Sequence, residues 1–180
     1  MGDGLPHIEF TSLIAEHDCS GFDCANKEIT QWVRKKAIKD HRPGAMHVTC
    51  AIPKGGSRPI GIYALSTVAE EVANLPGQNY RLFRSGKHFP ALHLVWLATD
   101  KGFANQGLGK LMVGKVITIF ADIGTRVGIP HLILTPAEQD KDRLTSFYES
   151  LGFETYNDDA SMFLSIETAR TVVDQMKHAV

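Results

Sequence analysis

The 180-residue chain predicts a mixed α/β fold of the α+β kind, with helices on both faces of one central sheet. Three observations predict it. Two strand-like runs, "MHVTCAI" and "PIGIYALST", flank a "PKGGSR" turn in the first half, the pattern of an antiparallel hairpin. In the second half strand-like runs alternate with segments of helical period, which lays helices over a sheet. Between the halves, "LHLVWLATD" (Leu92 to Asp100) hands over through "FANQGLGK" to a long apolar-periodic segment, so a glycine turn joins a strand to a helix.

Taken in order, a strand is expected near Ile8 to Ile14, then a loop "AEHDCSGFDCAN" ending on Asn26 as an N-cap. In "KEITQWVRKKAIKD" the residues Ile29, Trp32, Val33 and Ala37 share one helical face. The opposite face carries Lys27, Arg34, Lys35, Lys36 and Lys39, with Glu28 and Asp40 as its acids, and Pro43–Gly44 stops the helix. After the hairpin the pattern weakens from Ala69 to Pro90, where "NYRLFRSGKHF" interleaves Tyr80, Phe83 and Phe89 with Arg81, Arg84, Lys87 and His88. Beyond the glycine turn, Leu108, Leu111, Met112, Val116, Ile119, Phe120 and Ile123 fall on one stripe of the clearest helix in the chain. A strand "HLILTP" follows, then a helix carrying Leu144, Phe147, Tyr148 and Leu151, ended by Gly152 as a C′ glycine. Short strands near Phe153 to Tyr156 and Ser161 to Ile166 precede a C-terminal tail that can be helical.

Residues 1–180 read as a single domain, without internal repeat, low-complexity tract or linker. With 43% hydrophobic and 22% charged residues and a net charge of −1, no global electrostatic drive toward a polyanion or a membrane follows. Three cysteines, Cys19, Cys24 and Cys50, argue for a reducing cytosol rather than a disulfide framework. Cys19 and Cys24 with His17 lack paired zinc spacing, so no metal is expected. "MGDGLPHIEF" lacks the basic start and apolar stretch of a signal peptide, and no apolar run approaches the ~20 residues of a membrane span. A soluble, cytoplasmic protein is expected.

A glycine turn opening a helix is where anions bind, because the first N–H groups lack intrahelical partners and the macrodipole adds partial positive charge. Two nucleotide fingerprints fail here. A phosphate loop of the form G-x-x-x-x-G-K-S/T would need glycine at Ala104 and a hydroxyl at Leu111. The dinucleotide form G-x-G-x-x-G would need glycine at Met112, and the turn sits behind a hairpin rather than opening a parallel unit. Residues 104 to 109, "ANQGLG", resemble instead the acetyl-CoA motif of the GCN5-related N-acetyltransferases, Gln/Arg-x-x-Gly-x-Gly/Ala between a strand and a long helix, with Ala104 at its first position. "SFYESLGFE" (Ser146 to Glu154) resembles the same family's FY-x-x-x-GF helix end at the usual spacing.

The resemblance covers most of the chain and implies that family's fold: a mixed, mostly antiparallel sheet whose splayed strand pair holds acetyl-CoA. It implies cofactor contacts from Leu97, Ala98 and Thr99 on the strand, from Ala104, Asn105, Gln106, Gly107, Leu108, Gly109 and Lys110 at the loop, and from Phe147. A neutral amine would attack the thioester carbonyl, strand N–H groups of "WLAT" would take the developing oxyanion, and Tyr148 would protonate the departing thiolate. Reference values allow that transfer, a phenol near ~10 facing a thiol near ~8.5. On periodicity alone Tyr148 reads as a core tyrosine. No carboxylate stands out as general base; Glu138, Asp140 and Asp142 read as solvated or capping acids, and Lys141 stands where the family's helix often begins with Asn.

A narrower resemblance runs through "HDCSGFDCANKEITQWVRKKAIKD" (His17 to Asp40), "IGIYALS", "WLATDKGFANQGLGK" and "FYESLGF". It is similar to the acetyltransferase toxins of bacterial toxin–antitoxin pairs, which acetylate the α-amine of aminoacyl-tRNA and stop translation; Trp96 stands where those toxins often carry arginine. Such a protein would be dimeric and neutralised by a small ribbon-helix-helix antitoxin. Lys27, Arg34, Lys35, Lys36 and Lys39, with Arg81, Arg84 and Lys87 among aromatics, are then the candidates for the tRNA surface, and each patch also reads as a solvated face. An α-amine titrates near ~8, and a neighbouring ester lowers it further, so it needs no strong base, unlike a lysine amine near ~10.4. A small-molecule amine as acceptor, or a binding module that keeps the fold with little catalysis, remain the alternatives.

Overall fold

The computed structural model describes residues 5–71, 88–156 and 161–178. Along them run β1 (Ile8–Ser12), α1 (Lys27–Lys35), α2 (Ala37–Asp40), β2 (Met46–Pro53), β3 (Gly61–Glu71), β4 (His88–Thr99), α3 (Leu108–Val127), β5 (His131–Leu134), α4 (Lys141–Glu149), β6 (Glu154–Tyr156), β7 (Ser161–Ser165) and α5 (Ile166–His178). The strands make one sheet in the order β1-β2-β3-β4-β5-β7-β6. Its described ladders are antiparallel at β1–β2, β2–β3, β5–β7 and β6–β7 and parallel at β4–β5, the mixed, mostly antiparallel sheet that the resemblance implied. Two compact units are distinguished, 1–66 with 94–115 and 67–93 with 116–180.

In the first unit the hairpin of β2 and β3 forms as its turn residues require, with Gly55 at φ +76 and the register Cys50↔Ile62, Ala51↔Gly61. Alternation then sorts the side chains. Val48, Cys50 and Ile52 with Ile62 and Ala64 meet Ile29, Trp32, Val33 and Ala37 in one apolar cluster, so α1 and α2 cover that face. Phe10 and Gly61 look the other way, against the start of α3. Lys115 Nζ sits 5.6 Å from the Phe10 ring centre, and a Cβ built on Gly61 would meet Met112 Sδ at 2.8 Å. Helices on both faces of the sheet are thus in place within this unit.

Asn26 caps α1 as expected, its side chain accepting from Ile29 N–H at 3.1 Å, which contributes about 1 kcal/mol. One departure follows. The continuous helix expected over residues 27–40 breaks at Lys36 (φ −122, ψ −31) into α1 and α2. In a straight helix residues 32 and 40 lie ~12 Å apart along the axis; the step lets Asp40 Oδ2 accept from Trp32 Nε1 at 2.8 Å and buries Ala37 completely.

In the second unit, Phe89, Ala91, Ile133 and Phe163 form an apolar cluster with Val68 and Tyr156 against it. His131, the first residue of β5, is 1% exposed between the rings of Phe89 and Phe163, with centroids at 5.6 and 5.2 Å, and neither ring nitrogen has a hydrogen-bond partner among the described residues. Burial pushes its pKa down to about 4 against the opposing pull of Glu167. Gly152 at φ +94 ends the turn after α4, as the C′ position requires.

The apolar stripe of α3 is rotated from the expected one. Leu108, Met112, Val116 and Phe120 are buried, but so are Val113 and Ile117, while Leu111 is 41% exposed. Among the described residues no helix is long and apolar enough to cross a membrane, and the three cysteines are free thiols.

Candidate active site

The passage from β4 to α3 begins with local turn chemistry. β4 ends at Thr99, and Asp100 caps a single 3-10 turn, Lys101–Phe103, by accepting from Gly102 N–H at 3.0 Å. Ala104 is extended (φ −63, ψ 148), Asn105 takes the left-handed conformation at φ 60, and Gly107 lies at φ +87. A Cβ on Gly107 would meet nothing within 4 Å, so conformation rather than space asks for glycine there.

From Asn105 onward, the first amide with an acceptor is that of Leu111, which donates to Gly107 O at 3.0 Å. The preceding N–H groups, Asn105 through Lys110, have no hydrogen-bond partner among the described residues. Six successive donors at the start of a 20-residue helix with no acid in its first turn make a concave run of positive potential. That suits a pyrophosphate.

Side chains divide between holding the loop and leaving it open. Leu108 is 1% exposed and anchors the first turn of α3 against Gly61, so it offers only its amide. Gln106 Nε2 donates back to Gly102 O at 3.2 Å. Ala104, Asn105, Gly107 and Lys110 are exposed.

The strand leading in is equally ordered. Asp100 N–H donates to Ile60 O at 2.9 Å, so Asp100 faces the β3 side. Alternation then turns the amides of Leu97 and Thr99 to the edge away from β3, beyond the last β4–β5 pair at His93↔Ile133. Ala98 is buried beneath α1, while Trp96 is half-buried with its ring centre 5.7 Å from that of Trp32.

Sequence reasoning gave Asp23 and Asp100 no functional role, yet they fasten the site. Asp23 N–H donates to Asp100 Oδ2 at 3.0 Å, Lys101 N–H donates to Asp23 O at 2.8 Å, and Lys101 Nζ pairs with Asp23 Oδ2 at 3.0 Å. The available signal was the Asp-x-Gly spacing of Asp100 and Gly102, which marks an Asx-type turn.

Tyr148 and Phe147 lie on α4 in the second unit. Tyr148 is 7% exposed, its ring 5.1 Å from that of Phe147 and 5.6 Å from that of Phe153, and its hydroxyl has no partner among the described residues. Burial pushes its pKa up to about 12. The phenol stays protonated throughout the neutral range. Glu138 and Asp140 are exposed and pair with Lys141 at 3.4 Å and Arg143 at 3.0 Å, in keeping with solvated acids.

The basic candidates part company. Lys27, Lys35, Lys36 and Lys39 are exposed and make no ion pair among the described residues. Arg34 instead directs Nε to Phe22 O at 2.6 Å, a structural bond that ties α1 to the preceding loop. Arg81, Arg84 and Lys87 lie outside the described residues. Among the described residues, no group of three or more His, Cys, Asp or Glu is assembled that could hold a metal ion.

No protein-family model matches the chain. It is 24% identical over 162 residues to a probable toxin TacT of Sinorhizobium fredii (strain NBRC 101917 / NGR234), spanning 87% of this chain and 90% of that protein. Among solved structures, AtaT complexed with acetyl-methionyl-tRNAfMet superposes with a TM-score of 0.82 at 20% identity, over 92% of this chain and 99% of that one. AtaTR bound with AcCoA superposes with a TM-score of 0.77 at 21% identity, over 92% and 97%. The chain therefore has the fold of these proteins.

Proposed function

We propose that this chain, sharing its GCN5-related N-acetyltransferase fold with AtaT, moves an acetyl group from acetyl-CoA to the α-amine of an aminoacyl-tRNA, and so acts as a translation-blocking toxin. One observation carries the reading: six unpartnered amides, Asn105 to Lys110, in the strand–turn–helix position where this fold takes its pyrophosphate. The fit is chemical as well as topological. Donors without competing acids favour a polyanion, and the exposed loop residues leave the amides open.

Acetyl-CoA supplies an activated thioester when bound. The amides of Leu97 and Thr99, on the free edge of β4, align the pantetheine arm and donate to the carbonyl oxygen as charge develops on it. Phe147 packs along the arm. Tyr148 holds the proton destined for the leaving sulfur, and its raised pKa keeps that proton in place at cellular pH. No residue need act as a strong base, since an esterified α-amine is partly neutral near pH 7.

Lys27, Lys35, Lys36 and Lys39 on the outer face of α1 and α2 give the acceptor RNA an electrostatic footing that the net charge of −1 conceals. AtaT was captured with acetyl-methionyl-tRNAfMet, which supports the same acceptor class here. The full proposal includes a cytoplasmic homodimer restrained by a ribbon-helix-helix antitoxin.

The test is direct. With labelled acetyl-CoA and a full set of charged tRNAs, nuclease digestion should release acetylated aminoacyl-adenosine. Label found in no charged tRNA, with cofactor still bound, would overturn the acceptor and leave a small amine or a binding role.

A further inference from the structure

Trp96 and Trp32 are the two tryptophans of the chain, and their rings pack together in a tilted pair, centres 5.7 Å apart. Trp32 is the inner member: 7% exposed, rooted in the α1 cluster, and locked by Nε1–H donating to Asp40 Oδ2 at 2.8 Å. Trp96 is the outer member, half-buried, its plane tilted 32° from that of Trp32. It sits on β4 immediately before Leu97.

Indole is the largest apolar side chain, and leaving part of it in water forgoes burial worth about 25 cal/mol per Å². A ring packed against a second, buried ring and left partly exposed is a preordered aromatic surface. Lys35, Lys36 and Lys39 follow Trp32 along α1, the Lys36 step and α2, and are exposed. A partly exposed aromatic ring packed on a segment that also carries exposed lysines is a combination that binds unpaired nucleotides, by stacking on the base and attraction to the phosphates.

Resting on the acetyltransferase reading above, we infer that Trp96 is a specificity-determining residue of the acceptor site, a stacking platform for an unpaired base at the 3′ end of the acceptor RNA, with Trp32 as its buried support. The platform holds the aminoacylated end beside the Leu97 and Thr99 amides. Trp32 positions and does not touch the ligand.

Because the chain has these two tryptophans alone, its intrinsic fluorescence reports on the pair. The probe is an uncharged RNA oligonucleotide ending in CCA, titrated into the full-length protein. A saturable quench is expected in the native chain and in Trp32→Phe, where Trp96 is the lone reporter. In Trp96→Leu the remaining Trp32 signal should stay flat.

Kinetically, Trp96→Leu should raise KM for charged tRNA about five- to a hundredfold, the range for loss of one base–aromatic stack, with KM for acetyl-CoA unchanged. Trp96→Phe should recover most of the loss, and melting curves would show that both variants fold. Absence of a quench by the oligonucleotide, or an unchanged KM for charged tRNA in Trp96→Leu, would overturn the platform. A quench by methionine or phenylalanine methyl ester but not by RNA would also overturn it, assigning the ring to the amino-acid side chain. The fluorescence titration needs no turnover. A quench that persists where no charged tRNA is acetylated would sink the enzymatic reading and leave the platform standing.

Discussion

The main-chain N–H of Asp23 meets the Asp100 carboxylate at 3.0 Å, joining residues 77 positions apart. With its other oxygen on Gly102 N–H, the Asp100 carboxylate fixes two separate amides at the point where β4 gives way to the loop. The direction in which the next six N–H groups point depends on that carboxylate.

Asp100→Ala should therefore weaken acetyl-CoA binding before it affects anything else. Two charge-assisted bonds are lost, each worth about 1.5–3 kcal/mol to stability, and part of that loss falls on the loop. Calorimetry should show Kd for acetyl-CoA raised about tenfold or more, with Asp100→Asn intermediate because one amide acceptor survives. Unchanged affinity in the alanine variant would mean that the loop holds its shape unaided.

Tyr148→Phe should lower turnover by about 10²- to 10⁴-fold with acetyl-CoA affinity intact, the range for removing a general acid. The pH profile adds a second check. The folded pKa is raised from 10.0 to about 12, so the acid form is complete at pH 9 and is lost only as pH rises toward 12. By linkage, burial of this phenol stabilises the fold fully below pH 10 and progressively less above it. An alkaline fall in turnover centred near pH 9 would assign proton transfer to another group.

His131 sets a limit at the acid end. Its folded pKa is lowered from 6.5 to about 4, so the unfolded chain binds the extra proton first. The stability it contributes is present above pH 6.5 and is lost as pH falls toward 4. His131→Leu, which also removes two unpartnered nitrogens, should flatten stability over that interval and raise it at neutral pH by about 1 kcal/mol. Urea melts at pH 7 and pH 4.5 would read both effects.

The basic face divides into contacts that salt can displace and one that it cannot. Replacing Lys35, Lys36 and Lys39 together by alanine should lower the salt slope of RNA binding by about two to three, as each lost phosphate contact lowers it by ~0.7–0.9. Arg34→Ala should instead lower the melting temperature, because its Nε is bonded to Phe22 O at 2.6 Å. A salt slope that shifts with Arg34 and ignores the lysines would reverse the assignment.

What could be read in the sequence was whatever neighbours in the chain decide. The hairpin at Gly55, the Asn26 cap, the C′ glycine at Gly152 and the strand–turn–helix around Gly107 each depend on a few consecutive residues. The phase of α3 was not readable, because "LMV" at 111–113 offers three apolar residues in a row, and only the neighbouring sheet turns Val113 inward and Leu111 outward. The Lys36 break escaped for a similar reason. It is set by Asp40 reaching back to Trp32, a side-chain bond that helical periodicity does not encode. The pairing of Asp23 with Asp100 and the packing of Trp32 on Trp96 lie further out of reach, since each joins residues more than sixty positions apart.

Gly61 has a genetic consequence. A single methyl there would arrive 2.8 Å from Met112 Sδ and 3.1 Å from Leu108 Cδ2, so the ends of two buried side chains in the first turns of the helix that carries the loop would have to shift, and a larger side chain would press on the helix itself. Beyond a methyl, the strain passes to the turn that aims the loop amides although every loop residue is unchanged. Selection for loss of the proposed toxicity should therefore return substitutions larger than alanine at Gly61, the first residue of β3 and outside the loop, alongside those at Gly107 and Tyr148.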